Sequence, residues 1–211
     1  MNAREEVLAR IAEANRAAPS PSPVPRAYRH STDVPAGTSA AVELLADRLR
    51  DYRATVLTCT PEQLPATIAT ALTGARHVVV PPGLDPTWIA ELTDVEVRTD
   101  DPPLTHEQLD ETEAVLTSCR VAIAETGTIV LDAAPDQGRR ALTLLPDRHV
   151  CVVRDHQVVG SVPEAVAILS REPTRPLTWI SGPSATSDIE LVRVEGVHGP
   201  RDLRVILVTG G

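Results

Sequence analysis

The sequence contains no lysine, and all 20 of its basic residues are arginine. Three common chemistries depend on a lysine: the Walker A phosphate loop, the kinase lysine that contacts ATP, and the Schiff base to pyridoxal phosphate. Asparagine occurs only at Asn2 and Asn15, which disfavours a protease with a Cys-His-Asn arrangement. The absence of lysine therefore excludes all three of those chemistries.

Aromatic and sulfur-containing side chains are also scarce. Phe is absent and aromatic residues make up only 2% of the chain, whereas hydrophobic residues make up 42%. The core must therefore consist of Val, Leu, Ile and Ala, which suits a sheet covered by helices. The three cysteines, Cys59, Cys119 and Cys151, form no C-x-x-C pair. The sequence therefore encodes neither an iron–sulfur cluster nor a zinc ribbon.

Signatures of other cofactors are missing too. The sequence has no G-x-G-x-x-G pattern of the kind that binds dinucleotides. His149 and Cys151 share one face of a predicted strand, but no third metal ligand lies near them in the sequence. We therefore expect no cofactor and no metal site.

The charge and the hydropathy pattern limit the partners. The net charge of −9 argues against nucleic acid as the main partner, because phosphate contacts require a basic surface. No apolar run reaches the roughly 18 residues of a membrane span. The first 16 residues are charged and helical in pattern, without the apolar stretch of a signal peptide. We therefore expect a cytoplasmic protein with no nucleic-acid partner and no membrane span.

The chain divides into two parts. Residues 1–37 contain a predicted helix over 3–17 and a stretch rich in proline and serine over 19–37. Such a stretch is typical of an extended arm, which either wraps the domain or reaches a partner subunit, as in a homo-oligomer. Residues 38–211 are expected to form a single α/β domain.

Within that domain, strands alternate with capped helices. Thr105 and Gln108 form a capping box that predicts a helix to about Ser118. The alternation predicts a three-layer α/β fold whose mostly parallel sheet carries helices on both faces. The strand pair within 121–131 and the last two strands, 191–194 and 203–208, are expected to be antiparallel additions to this sheet.

The segment 121–132 contains a polar turn between two apolar runs. Glu125, Thr126, Gly127 and Thr128 form this turn, and the glycine permits a positive φ and a close approach of a ligand or another backbone. Glu125 lies where a strand leaves the core, the edge at which α/β sheets usually bind ligands. It is the candidate catalytic residue. The alternative is that these side chains only satisfy the amides of the turn.

The segment 181–190 begins where a predicted strand ends. Its glycine and hydroxyl groups suit a phosphate or carboxylate ligand, because such a loop exposes backbone N–H groups, and the dipole of a helical turn at 186–190 would favour an anion. The alternative is a capped turn without a ligand. The candidate ligand-binding residues here are Ser181, Gly182, Ser184, Thr186 and Asp188.

Two further segments contribute candidate ligand-binding residues. His198 lies in a loop bounded by glycines, of which Gly199 is one, and Arg201 is able to hold a carboxylate through two contacts. Arg139 and Arg140 follow the 125–128 turn, and either is a candidate for neutralising an anion bound there, the other being a solvated charge. For His198, a loop histidine bonded to nearby backbone is an equally good interpretation.

Three motifs in order carry a family resemblance. The segments AETGTIVL, RRALTLLPDRHVCVV and TWISGPSATSDIELVRVEGVHGPRDLRVILV resemble the LUD family, and within it the lactate utilization protein C group. The resemblance implies a fold like those of ribose-5-phosphate isomerase, glucosamine-6-phosphate deaminase and the CoA transferases. It also implies a bacterial operon with two partner proteins, one of which carries iron–sulfur clusters, that together oxidise L-lactate to pyruvate.

Three functions remain open at this point. The first is a cofactor-free accessory or ligand-binding subunit of the lactate-oxidation system, with a small anion as ligand. The second is an enzyme acting on a small anionic substrate through Glu125, as a CoA transferase or phosphosugar isomerase uses a carboxylate. The third is a structural scaffold without a ligand. The first is our leading hypothesis.

Overall fold

A computed structural model describes residues 2–17, 24–181 and 199–210. Its helices are α1 (Ala3–Ala17), α2 (Ser39–Asp51), α3 (Leu64–Ala71), α4 (His106–Asp110) and α5 (Val162–Leu169). Its strands are β1 (Thr55–Cys59), β2 (His77–Val80), β3 (Glu96–Thr99), β4 (Ala114–Thr117), β5 (Val121–Ile123), β6 (Thr128–Leu131), β7 (Arg148–Arg154), β8 (Val158–Val159), β9 (Thr178–Ile180) and β10 (Asp202–Val208). The predicted α/β class is confirmed.

Six strands form one wholly parallel sheet in the order β1-β10-β7-β4-β2-β3. Strand β10 lies between β1 and β7, and each of its seven residues pairs with one on β7. The prediction that residues 203–208 add an antiparallel strand is therefore wrong. Their continuous apolar run, Val205 to Val208, is instead typical of a strand buried on both faces of a parallel sheet. The predicted strand 191–194 lies outside the described residues.

The strand pair within 121–131 belongs to a second, separate sheet. This sheet has the order β8-β5-β6-β9, with β6 antiparallel to both β5 and β9 and with β8 parallel to β5. The pair is antiparallel as expected, but it is not an addition to the main sheet. Local sequence sets the hairpin, whereas partner choice depends on segments far away in the chain, such as β8 and β9.

Strand β4 was not predicted. The sequence indicated a helix from Thr105 to about Ser118, but α4 ends at Asp110, and Ala114–Thr117 is a fully buried strand between β2 and β7. The capping box itself is present, since Thr105 Oγ1 accepts from the backbone N–H of Gln108 at 3.2 Å. A capping box marks only where a helix begins. Pairing with two neighbouring strands then overrides helix propensity in the apolar segment that follows.

Apolar layers lie on both faces of the parallel sheet. One face packs against α3, where Ile68 and Leu72 are fully buried against side chains of β2, β4, β7 and β10. The other face packs against α2 and one face of the second sheet. The outer face of the second sheet packs against α5. The hairpin that carries the candidate turn is therefore held between two packed layers.

Residues 29–37, in the predicted arm, pack on the domain beside β8. The backbone N–H of Gly37 donates to the carbonyl of Val158 at 2.9 Å, and Val34 packs against the core between the two sheets. The division of the chain at residue 37 stays a prediction. Within the described residues, no helix is both long and apolar enough to cross a bilayer.

Candidate functional site

The β5–β6 turn is fixed by its backbone. The backbone N–H of Glu125 donates to the carbonyl of Gly160 at 3.1 Å, at the end of β8. Gly127 adopts a φ of +65°, and a Cβ there would lie 2.7 Å from Cβ of Arg48 and 3.1 Å from a ring carbon of Tyr52. The turn therefore packs tightly on the end of α2. Only glycine combines this φ with this close approach.

Glu125 forms an ion pair with the arm. Arg29 donates from Nη2 to both carboxylate oxygens of Glu125, at 2.8 and 3.0 Å. The side chain of Glu125 is 41% exposed and that of Arg29 is 64% exposed. Both charges thus lie at the surface, where solvent and a small molecule reach them. Any chemistry performed by Glu125 has to accommodate or displace this guanidinium.

Three hydroxyl groups connect the turn to the end of β9. Thr126 Oγ1 donates to Thr128 Oγ1 at 2.8 Å, and Thr128 Oγ1 shares a hydrogen bond with Ser181 Oγ at 2.8 Å. Thr128 is buried, whereas Ser181 is exposed and directly follows β9. The antiparallel pairing of β6 with β9 places these residues together. Residues of two separate candidate segments, 125–128 and 181–190, therefore meet in one place.

The other candidate residues lie away from the turn or outside the described residues. Arg201 forms an ion pair with Asp147 at 3.8 Å, where β10 begins, and Gly199 lies two residues before it. The remaining candidates, Gly182, Ser184, Thr186, Asp188 and His198, lie outside the described residues.

Arg139 binds a carboxylate of the protein itself rather than the turn. Its guanidinium donates to Asp100 at 2.7 and 3.0 Å and to the carbonyl of Leu104 at 2.6 Å. Burial alone would raise the pKa of Asp100, but the hydrogen bonds from Arg139 and from the backbone N–H of Leu104 hold that pKa below its usual value. Arg139 is thus part of a structural ion pair and is not available to an anion at Glu125.

A second carboxylate shows the same pattern at the far end of the hairpin. Asp132, which directly follows β6, has a buried side chain, with Arg175 at 3.4 Å and Arg120 at 3.7 Å from one of its oxygens. The other oxygen accepts from the backbone N–H of Ala134 at 3.2 Å. This cluster ties the start of β5 to the end of β6 and to the segment before β9.

His149 is a buried side chain on β7, as is Cys151 two residues later. Thr117 Oγ1 lies 2.8 Å from Nε2 of the buried His149, while Nδ1 has no hydrogen-bond partner in the described part of the chain. Burial lowers the pKa of His149 to about 4, so the ring is neutral near pH 7. No group of three metal-ligating side chains occurs within residues 2–17, 24–181 and 199–210.

Two residues that shape the site, Arg29 and Gly160, are not predicted by any pattern in the sequence. Arg29 is 96 positions from Glu125, and no local pattern distinguishes it from the other arginine of the arm, Arg26. Gly160 directly follows β8, and a Cβ there would lie 2.2 Å from Oγ1 of Thr32 and 2.7 Å from the carbonyl oxygen of Val34. The absence of a side chain at position 160 therefore lets the arm pack three to five residues after Arg29.

Replacing Gly160 with alanine is expected to displace the arm. The new methyl group would overlap Thr32 and the backbone at Val34, and overpacking of this kind costs about 1–3 kcal/mol. Trypsin should then cleave after Arg29 about tenfold faster or more, because cleavage tracks the population of the released arm. Gly199→Ala, where a Cβ would lie within 4 Å of no described residue beyond its chain neighbours, is the matched control. Equal cleavage of both variants and the unaltered chain would contradict the packing argument.

The chain is similar to known proteins in both sequence and structure. Residues 38–208 match the LUD domain family. A protein of Deinococcus radiodurans named Lactate utilization protein C is 56% identical over 180 residues, which is 83% of this chain and 84% of that protein. A Geobacillus kaustophilus protein of the same name is 32% identical over 131 residues, covering 58% of this chain and 53% of the relative. The crystal structure of a DUF162 family protein from Deinococcus radiodurans covers 81% of this chain and 98% of that chain, with a TM-score of 0.71 and 45% identity.

Proposed function

The chain belongs to the LUD domain family, and on that premise we propose that it is an accessory, ligand-binding subunit of a bacterial system that oxidises L-lactate to pyruvate. The observation that carries this proposal is the 56% identity, over most of both chains, to a protein named Lactate utilization protein C. Because that relative matches this chain along most of its length, the proposal concerns the whole domain and not one motif.

The proposal assigns electron transfer to partner proteins. The sequence has no C-x-x-C pair and no G-x-G-x-x-G pattern, so the chain offers none of the usual signatures for holding an iron–sulfur cluster or a dinucleotide. The partners we propose are the iron–sulfur subunit and the further subunit of the same operon, in the cytoplasm. The role of this chain is then to bind a small anion and to associate with those subunits.

The ligand site that we propose is centred on the β5–β6 turn. It combines Glu125 and Arg29 with the hydroxyls of Thr126, Thr128 and Ser181. Two features support this location. Charged and hydroxyl groups from three separate segments converge there, and Ser181 leads directly into the Gly- and hydroxyl-rich segment that begins with Gly182.

Co-purification tests the accessory role. The tagged chain, produced together with the two partner proteins, is expected to retain both through affinity and size-exclusion steps, and deletion of its gene is expected to abolish growth on L-lactate as sole carbon source. Reintroducing the intact gene should restore growth. The proposal fails if the three proteins never associate and the deletion strain grows on lactate like its parent.

A stand-alone enzyme is the second candidate function. The observation that favours it is a carboxylate, Glu125, on a rigid turn among hydroxyl groups, since related folds use such a carboxylate as base or nucleophile. Both oxygens of Glu125 accept from Arg29, so this role requires the arm to move. A screen of small acids, phosphosugars and CoA esters with Glu125→Gln decides: activity that survives the substitution removes Glu125 from the mechanism.

A further inference from the structure

We infer that the ion pair between Arg29 and Glu125 recognises a 2-hydroxy carboxylate. Arg29 of the arm binds the carboxylate of this ligand, and Glu125 accepts a hydrogen bond from its hydroxyl group. This inference rests on the proposed function and names the ligand class for the same site. It also assigns a binding residue to the segment before residue 38, where the match to the family begins.

Some N–H groups of Arg29 are not used in its contact with Glu125. It contacts Glu125 through Nη2 alone, and its Nε and Nη1 donate to no group within the described residues. A guanidinium presents five N–H groups in a planar fork that fits the two oxygens of a carboxylate. The side chain is 64% exposed, so this edge of the fork is open to a ligand from solvent.

Glu125 selects for a hydroxyl group. An ionised carboxylate only accepts hydrogen bonds, so it binds a ligand O–H and repels a ligand oxygen that carries no proton. In a 2-hydroxy carboxylate the hydroxyl is one carbon away from the carboxylate, so one small molecule is able to contact adjacent protein groups of opposite charge. A 2-oxo acid has an oxygen at this carbon but no hydroxyl proton, and a simple carboxylic acid has no oxygen at this carbon.

The position of Arg29 is set by the packing of the arm. The carbonyl of Gly160 accepts a hydrogen bond from the backbone N–H of Glu125. Because Gly160 has no side chain, Thr32 occupies the space beside it. Both members of the ion pair are therefore held against one residue at the end of β8. Groups held in place before binding lose less freedom when the ligand arrives, which favours affinity. The hydroxyl of the exposed Ser181 provides a further polar contact at the same turn.

Titration calorimetry with the full chain tests the inference, using the sodium salts of L-lactate, pyruvate and propionate as probes. L-lactate is expected to bind about tenfold more tightly than either pyruvate or propionate, because neither analogue has a hydroxyl group that donates to Glu125. Arg29→Gln should weaken L-lactate binding about tenfold or more. The matched control is Arg26→Gln, which removes the neighbouring arginine of the arm and should bind as the unaltered chain does.

Glu125→Gln gives an independent readout. A glutamine amide both donates and accepts, so the preference for L-lactate over pyruvate should fall toward unity or reverse. The inference is overturned if no probe binds at concentrations up to about 10 mM (a Kd weaker than roughly 1 mM), if propionate binds as tightly as L-lactate, or if Arg29→Gln binds as the unaltered chain does. Co-purification with the two partner proteins is measured separately from ligand binding. If the proteins still co-purify while the binding tests fail, the ligand assignment is wrong and the accessory role is retained.

Discussion

Replacing Asp100 with alanine is expected to lower the free energy of unfolding by about 3 kcal/mol, because it leaves the partly buried guanidinium of Arg139 and the backbone N–H of Leu104 without their acceptor. The side chain of Asp100 is 5% exposed and accepts from Arg139 and from the backbone N–H of Leu104. The pair joins the residue after edge strand β3 to the loop after β6. Its loss therefore loosens one end of the parallel sheet. Urea denaturation followed by circular dichroism at pH 7 measures the change.

Two companion variants define this effect. Asp100→Asn keeps one acceptor oxygen and the shape of the side chain, so the loss should be about half as large. Asp94→Ala removes an exposed carboxylate from the segment before β3 and should change stability by less than about 0.5 kcal/mol. Because the pKa of Asp100 lies below its usual value, its contribution is present above pH 4 and is lost as the pH falls further. Equal stability of the Asp100 and Asp94 variants would refute the assignment.

Acid is expected to destabilise the protein through His149 well before the carboxylates are protonated. The pKa of this buried ring is about 4, against 6.5 for an ordinary histidine, so the unfolded chain binds the proton more readily than the folded one. Stability should therefore be constant above pH 6.5 and fall between pH 6.5 and 4. At about 1.4 kcal/mol per pKa unit, the loss contributed by His149 is about 3 kcal/mol.

The pH dependence distinguishes His149 from the other histidines. His149→Leu should flatten the decline between pH 6.5 and 4, whatever its effect on stability at pH 7. His106→Gln, which removes an exposed histidine at the start of α4, should leave the decline unchanged. If the His149 variant does not fold, NMR titration of the unaltered protein gives the pKa of the ring directly. A value near 6.5 would show that the ring is not held neutral.

Local sequence signals predicted most of the elements but not their partners. The apolar run of β2 and the capping box at Thr105 are encoded within a few residues, and the structure contains both. Strand β4 was missed because its four residues suit either a helix or a strand, and only its contacts with β2 and β7 decide. The placement of β10 between β1 and β7 likewise depends on pairing across long sequence separations, which no local pattern encodes.

The candidate site was predictable in part for the same reason. Glycine at position 127 and the hydroxyls around it marked the turn, and the motif after β9 marked Ser181. Their meeting follows from the antiparallel pairing of β6 with β9. Arg29 and Arg139 show the limit, because an arginine gives no sign in the sequence of which carboxylate it will bind. One pairs with Glu125 and the other with Asp100, although only Arg139 lies near the predicted site in the sequence.

The position of β10 has a consequence for biosynthesis. It is the last strand of the parallel sheet to leave the ribosome, yet it separates β1 from β7. Until it emerges, β1 has no neighbour in the sheet and β7 has one bare edge. The nascent domain thus exposes unpaired, apolar strand edges through most of translation, the condition under which chaperones are needed and premature chain termination yields aggregates. A chain truncated before residue 202 should accordingly be insoluble rather than partly functional.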